Sequence, residues 1–275
     1  MTERADGIDT TVAHNARVWN YWLGGEDHFE VDARVGAHVT SMFPGIAEVA
    51  RADRAFLGRA VTWLAGEAGV RQFLDVGSGL PARDNTHEVA RRAAPDARVV
   101  YVDNDPTVLR HARTLLADAP GGATAYVEAD AREPGAVLRA AGRTLDLDRP
   151  VAVLLLGVLN FVQDTDEAVS VARRLMAAVP SGSHLVLTHP TLELGGGANE
   201  EAMRFWNENA TPPITPRPRA EVLRFFEGLE LLEPGLVSCS RWHPGGPHEA
   251  PDAPGAAEAP EAPEVAQFGA VARKP

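Results

Sequence analysis

The chain has 275 residues, of which 45% are hydrophobic and 23% are charged, as in an ordinary water-soluble globular protein. The formal net charge of −12 argues against a nonspecific grip on nucleic-acid phosphates. No apolar run reaches the roughly 18 residues of a membrane span, and the polar N-terminus lacks the apolar stretch of a signal peptide. Cys239 is the single cysteine, so no internal disulfide can form, and we expect a cytoplasmic protein.

The first 70 residues predict helices and no strand. Apolar residues recur at helical spacing, and the stop signals Gly24-Gly25 and Pro44-Gly45 divide them. A loose tail is expected at 1–13, and helices are predicted at 14–24, 31–40 and 46–69. Residues 1–70 are therefore expected to form a helical arm or cap.

Strands and helices alternate from residue 72 onward. Strands are predicted at 72–76, 99–103, 125–128, 151–157, 184–189, 236–241 and 267–272. Helices are predicted at 84–94, 106–118, 134–141, 166–179, 200–209 and 219–228. This alternation predicts an α/β fold with a doubly wound, mostly parallel seven-stranded sheet over residues 71–275. The stretch 244–263 is rich in Pro, Ala, Gly and Glu, a composition that predicts a disordered loop.

A glycine turn follows the first predicted strand of this sheet. The strand ends with Asp75, and Gly77 and Gly79 come next with one residue between them. A strand, a glycine turn and a helix start allow the backbone to approach a ligand closely. In a doubly wound sheet, ligands bind outside the carboxyl ends of the strands, so we expect the binding site here.

Acidic residues follow the next two predicted strands. Asp103 ends the second strand, where a carboxylate accepts hydrogen bonds from a ribose diol. Asp130 follows the third strand and is placed to accept from an exocyclic amine, although it is equally well explained as a turn residue. The fourth strand leads into an apolar loop at 157–161 with room for the face of a ring. Asp105, directly before Pro106, is expected to cap the next helix.

Two cofactor classes fit the glycine turn. Gly77, Gly79 and Ala82 match the dinucleotide fingerprint Gly-x-Gly-x-x-Gly/Ala, which leaves an NAD-dependent enzyme as an alternative. Asp75, however, would repel a doubly anionic pyrophosphate and attract an ammonium group. S-adenosylmethionine carries an ammonium group, a ribose diol and an adenine amine, and therefore suits the three acids Asp75, Asp103 and Asp130 better.

The chain resembles the class I S-adenosylmethionine-dependent methyltransferases, and more narrowly an actinobacterial methyltransferase-like family of unassigned substrate. The resemblance covers nearly the whole chain apart from 244–263. The matching stretches are 17–25, 73–81 followed by Asp84, Asn85 and His87, 100–105 and 271–275. It departs from the class in having Pro81 at the usual third glycine. It also lacks an Asn/Asp-Pro-Pro-Tyr motif after the fourth strand, which disfavours methylation of a base or amide nitrogen.

The resemblance implies a Rossmann-like methyltransferase fold in which the glycine turn holds the methionine moiety, Asp103 the ribose and the region of Asp130 the adenine. The helix end at 21–25 would then cover the methionine moiety. The residues expected to contact the cofactor are Tyr21, Gly24, Gly25, Asp75, Gly77, Ser78, Gly79, Leu80, Asp103, Asn104, Asp130, Ala131, Gly157, Leu159 and Asn160.

The expected activity is in-line methyl transfer to a small-molecule acceptor. The cofactor supplies the reactivity, so a general base is optional, and the candidates are His28, Tyr21 and His189. Asp84 and His87 have no third ligand in view, so no metal site is predicted. No nucleic-acid or membrane partner is expected. A non-catalytic S-adenosylmethionine-binding regulatory protein remains an alternative to the enzyme.

Overall fold

The structure, a computed structural model, describes residues 8–117, 123–243 and 262–275, with only the backbone of 112–117. The predicted loop at 244–263 lies outside the described residues except for its last two. Within the described ranges, no helix is both long and apolar enough to cross a membrane.

Helices and strands alternate along most of the described chain. The strands are β1 Ala13–His14, β2 Gln72–Val76, β3 Arg98–Asp103, β4 Thr124–Glu128, β5 Ala152–Leu156, β6 His184–Pro190, β7 Ala210–Thr211, β8 Glu230–Leu231, β9 Val237–Ser238 and β10 Gln267–Arg273. The helices are α1 Asn15–Trp22, α2 Glu30–Met42, α3 Ile46–Gly66, α4 Thr86–Ala93, α5 Pro106–Ala117, α6 Pro134–Ala141, α7 Thr165–Ala177, α8 Gly196–Asn209 and α9 Arg219–Leu223.

The central sheet confirms the predicted doubly wound α/β fold, with eight strands instead of the predicted seven. Its strand order is β4-β3-β2-β5-β6-β10-β8, and β9 pairs with β10 as an eighth strand. The strands from β4 to β6 are parallel, whereas β10 runs antiparallel to β6. The chain leaves β2 in one direction through β3 and β4 and then returns to β5 on the other side of β2. The carboxyl ends of β2 and β5 therefore flank the crevice where such sheets bind ligands.

Both faces of the sheet are covered, which explains why its central strands are almost wholly apolar. Leu74 and Val153 face one side and belong to a cluster with Leu175 of α7. Their neighbours Phe73 and Leu154 face the other side and pack with α3. This alternation follows from the two-residue period of a strand and places α3 in a layer of the sheet core.

The helices α1 and α2 pack with α8 instead of lying on the sheet. Val18 and Trp22 of α1 form a cluster with Val39 of α2 and Trp206 of α8. A buried ion pair also joins α1 to α2, with Arg17 Nε 2.9 Å from an oxygen of Asp32. The three helices thus form a cover over the carboxyl ends of the central strands.

Three local predictions were wrong. Residues 8–13 are not a loose tail, because Ile8 and Ala13 are buried and β1 pairs in parallel with β7. The strand predicted at 236–241 is reduced to β9 and followed by a 3₁₀ turn at Cys239–Arg241. The helix predicted at 219–228 ends at Leu223 and continues as a 3₁₀ turn. Each outcome depends on contacts with distant segments, which local residue patterns do not encode.

Candidate functional site

A cleft opens at the carboxyl ends of β2, β5 and β6, beneath the cover formed by α1 and α8. Residues from the glycine turn, the loop after β5 and the inner faces of α1, α3 and α8 line it. The sequence-predicted residues that line this cleft are Asp75, Gly77, Ser78, Gly79, Leu80, Gly157 and Asn160. The switch in strand order thus places the predicted glycine turn inside an enclosed space.

The two glycines of the turn are required for different reasons. Both have positive φ angles, +76° at Gly77 and +65° at Gly79, which residues with a side chain rarely adopt. A Cβ atom at Gly77 would lie 2.5 Å from Cγ2 of Val158, so this glycine permits the loop after β5 to pack against the turn. A Cβ atom at Gly79 would meet nothing within 4 Å. A side chain at Gly79 would therefore occupy open space above the turn.

Asp75 is a buried carboxyl group at the end of β2. Its side chain is 5% exposed, and its Oδ2 accepts a hydrogen bond of 2.6 Å from the hydroxyl of Thr86. Burial raises the pKa of Asp75 to about 6, and the opposing effects of Thr86 and Arg54 only partly offset it. Arg54 donates instead to the carbonyl oxygens of Arg83 and Asp84. A cationic ligand group beside Asp75 would stabilise its charged form.

Asp103 fixes the conformation of the glycine turn. Its Oδ2 accepts from the backbone N–H of Gly79 at 2.8 Å, and its Oδ1 accepts from that of Asp105 at 2.9 Å. Burial raises the pKa of Asp103, and these backbone donors oppose the rise. Each carboxylate oxygen has a second acceptor site, so Asp103 remains able to accept from a ligand hydroxyl.

Asp105 caps α5, as predicted. Its Oδ1 accepts from the backbone N–H of Thr107 at 2.7 Å. Its Oδ2 lies 2.8 Å from Nδ1 of His14 at the start of α1, and these contacts lower the pKa of Asp105 despite its burial. The start of the cover is therefore held next to the strand end that carries Asp103.

Asp130 is held by a neighbouring arginine. The guanidinium of Arg132 donates to both carboxylate oxygens, with a shortest distance of 2.6 Å, and lowers the pKa of Asp130. Asp103, Asn104, Asp130 and Ala131 lie at the ends of β3 and β4 and do not line the enclosed cleft. Asp130 is therefore paired with Arg132 in this structure, and its contact with an exocyclic amine stays a prediction.

Four other expected cofactor contacts do not line the cleft. Leu159 is fully buried in the core on one face of the sheet. Tyr21 packs against Gly36 and lies edge-on to His28, with ring centroids 5.3 Å apart. Gly24 and Gly25 end α1, and a Cβ atom at Gly25 would collide with the side chain of Asn20.

None of the three candidate bases lines the cleft. Tyr21 and His28 contact each other, as described above. His189 is fully buried, with Nδ1 donating to the carbonyl oxygen of Pro190 and Nε2 accepting from Nη1 of Arg217 at 3.0 Å. Burial lowers the pKa of His189 to about 3. A role for any of these three groups as a base therefore stays a prediction.

Sequence reasoning missed the part of the cleft that α3 and β10 line. Asp53 of α3 lines it, is 6% exposed and accepts a 2.5 Å hydrogen bond from Nε2 of Gln267 on β10. Trp19 and Trp22 of α1 pack against each other and also line the cleft, together with Trp206 of α8. The sequence contained one signal for this part of the cleft. Asp53 is an acid three and four residues before Phe56 and Leu57, a spacing that places it on the buried stripe of α3.

Comparisons with known proteins agree with this geometry. The family described as S-adenosyl methyltransferase matches residues 1–275. A DUF574 family protein from Streptomyces avermitilis is 44% identical, with a TM-score of 0.86 over 97% of this chain and 99% of that chain. A candidate methyltransferase from Thermobifida fusca is 37% identical, with a TM-score of 0.86 over 100% of this chain and 99% of that chain.

A more distant likeness shows the fold alone. The N-methyltransferase NodS from Bradyrhizobium japonicum, in complex with S-adenosyl-L-homocysteine, is 13% identical, with a TM-score of 0.51 over 94% of this chain and 99% of that chain. No curated protein matches the chain significantly.

The residues at the turn fit S-adenosylmethionine. Among the described residues, the hydroxyl of Ser78 and the amide oxygen of Asn160 are buried without a hydrogen-bond partner, and both line the cleft. Buried polar groups of this kind normally have partners, so a ligand with donor groups would satisfy them. Asp75 in turn matches a ligand that carries positive charge. The chain belongs to the S-adenosyl methyltransferase family, and its cofactor is S-adenosylmethionine.

Proposed function

We propose that the protein methylates a small-molecule acceptor that is bound in the cleft beside the cofactor. The observation that supports this proposal is that a single cleft is lined both by the glycine turn and by the aromatic side chains of α1 and α8. Bound S-adenosylmethionine supplies an electrophilic methyl group. The protein's own contribution is then to align the acceptor and to exclude water.

The proposed cofactor contacts follow the strand ends. The turn at Gly77 and Gly79 approaches the methionine moiety, and Asp75 attracts its ammonium group. Asp103 keeps the turn in place through Gly79 and accepts from the ribose hydroxyls. The adenine lies toward the ends of β3 and β4, where the guanidinium of Arg132 is hydrogen-bonded to Asp130.

Two observations favour a small acceptor over a macromolecule. The ring centroids of Trp22 and Trp206 are 6.2 Å apart, so α1 and α8 meet above the cleft and leave no broad groove there. The net charge of −12 also opposes the binding of a polyanion. The family match supports a methyltransferase and gives no support to the nicotinamide-dependent alternative.

Calorimetric titration with S-adenosylmethionine tests the cofactor roles. We expect the wild type to bind, Asp103→Ala to bind at least about tenfold more weakly because the turn and the ribose both lose a partner, and Asp96→Ala to bind like the wild type. Asp96 is a suitable control because it lies outside the cleft and is 75% exposed. Absence of wild-type binding at high micromolar cofactor, or a thermal shift with NAD larger than with S-adenosylhomocysteine, would refute the proposal.

A further inference from the structure

The cleft extends well beyond the glycine turn. In the strand order, β5 separates β2 from β6, and β10 follows β6. Neighbouring strands lie about 4.8 Å apart, so the end of β6 is about 10 Å and that of β10 about 14 Å from the turn. Pro190 of β6 and Gln267 of β10 are paired in register, and both line the cleft. This distal part, which we call the acceptor chamber, lies beside the proposed cofactor position.

The side chains that line the cleft from the helical cover are largely aromatic. Trp19 and Trp22 come from α1, Phe43 from the segment before α3, and Met203 and Trp206 from α8. The rings of Trp19 and Trp22 lie edge to face with centroids 5.9 Å apart, and Trp22 is tilted against Trp206. Indole rings and a thioether favour a flat aromatic ligand through stacking, edge and sulfur contacts.

The charge around the chamber disfavours anions. The ionisable side chains lining the described cleft are two acids, Asp53 and Asp75, and one base, Arg54. Arg54 gives hydrogen bonds to the carbonyl oxygens of Arg83 and Asp84, and its charge lowers the pKa of both acids. The acids outnumber the base, so an acceptor carrying a carboxylate or phosphate would meet net repulsion when both acids are ionised.

Asp53 is the acid of the cleft that contacts β10. It is 6% exposed, and Gln267 engages its Oδ1. A side-chain hydrogen bond from Thr188 lowers its pKa. Each carboxylate oxygen accepts two hydrogen bonds, so lone pairs remain for a ligand. Burial raises the pKa of Asp53, so a hydrogen-bond donor at this place would relieve an unfavourable charge.

From this arrangement we propose that the methyl acceptor is a neutral or cationic planar aromatic molecule with a hydroxyl or amino group, and that Asp53 binds this group as hydrogen-bond acceptor. The aromatic walls select the ring system, and Asp53 selects the donor. This inference rests on the proposed function, since it assigns the remainder of the cleft to the substrate of the same reaction.

A matched set of ligands tests the proposal on the full-length protein saturated with S-adenosylhomocysteine. The probes are 2-naphthol, 2-methoxynaphthalene and 2-naphthoate, with phenol and anisole as one-ring equivalents, and binding is measured by calorimetry. The proteins are the wild type, Asp53→Asn and Glu48→Gln. Glu48 is a suitable control because it is an acid on the same helix, lies outside the cleft and is 58% exposed.

We expect the hydroxyl probe to bind the wild type at least about tenfold more tightly than its methoxy counterpart, because only the hydroxyl donates to a carboxylate. The naphthoate should not bind. The preference should fall to about threefold in Asp53→Asn, because a hydrogen bond to a neutral amide oxygen is about half as strong as one to a carboxylate, and it should persist in Glu48→Gln. Unchanged affinity for S-adenosylhomocysteine in Asp53→Asn reports an intact fold.

Two outcomes would overturn the proposal. One is that no aromatic probe binds a protein that does bind S-adenosylhomocysteine. The other is that the hydroxyl preference is the same in Asp53→Asn as in the wild type. Failure of S-adenosylhomocysteine to bind would instead refute the proposed function itself, so the two failures are distinguishable. A Trp19→Leu variant should weaken the binding of every aromatic probe about equally. It therefore distinguishes the contribution of the aromatic wall from that of the hydrogen bond to Asp53.

Discussion

Replacing Asp75 with asparagine should stabilise the cofactor-free protein and weaken cofactor binding. Asparagine has nearly the same shape as aspartate and can still accept the hydrogen bond from Thr86 through its amide oxygen. The substitution removes a buried negative charge whose burial cost is only partly offset by Thr86 and Arg54. A charge held at a binding site at the expense of stability is a common trade-off between function and folding.

The size of this stabilisation follows from the pKa. Burial raises the pKa of Asp75 from 3.8 to about 6, and each pKa unit corresponds to about 1.4 kcal/mol. The charged form therefore costs about 3 kcal/mol of folding free energy at neutral pH. Because the folded pKa is the higher one, this cost is absent below pH 3.8, grows as the pH rises through about 6 and is complete above it.

Urea unfolding of the wild type, Asp75→Asn and the exposed control Asp148→Asn measures the effect. At pH 7.5 we expect Asp75→Asn to unfold with about 3 kcal/mol more free energy than the wild type, and with a Tm about 6–10 °C higher. The difference should shrink to about half at pH 5. A variant that is less stable than the wild type, or a difference that does not change with pH, would refute the reasoning.

Three further predictions concern the cleft and its cover. Wild-type affinity for S-adenosylmethionine, measured by calorimetry, should fall about tenfold from pH 7.5 to pH 5 as Asp75 takes up a proton, and Asp75→Asn should abolish this dependence. Gly79→Val should weaken cofactor binding at least about tenfold and destabilise the fold by about 1–2 kcal/mol in urea, because the position has a positive φ and opens onto the space above the turn. Arg17→Met should cost about 3–5 kcal/mol in the same assay, since it leaves Asp32 charged and fully buried; a loss below about 1 kcal/mol would contradict this assignment.

The strands and helices of the core were largely predictable because their signals are local. The bounds of β2 and α6 coincide with the predicted ranges 72–76 and 134–141. A glycine turn after an apolar strand needs only a few adjacent residues to be recognised, and its positive φ angles follow from the same residues. The alternation of elements then predicted the doubly wound sheet, because parallel strands require crossover connections.

The pairing of β1 with β7 shows where such signals end. Two residues in each strand are too few to produce a pattern, and nearly 200 positions separate Ala13 from Ala210 in the chain. Their pairing depends on how α1 and α8 pack, which is a property of the assembled cover. The short β9 within a predicted six-residue strand has the same explanation, because its length is set by contact with β10.

The sequence by itself determined the fold class, the glycine turn and the acids at the strand ends, because each depends on residue type within a short segment. Only the tertiary structure decided which side chains meet. It brings Asp53 next to Gln267, which lies 214 residues further along the chain, and it buries His189 against Arg217, away from the cleft. A residue's type states which chemistry it can perform, but the packing of distant elements sets the direction in which its side chain points.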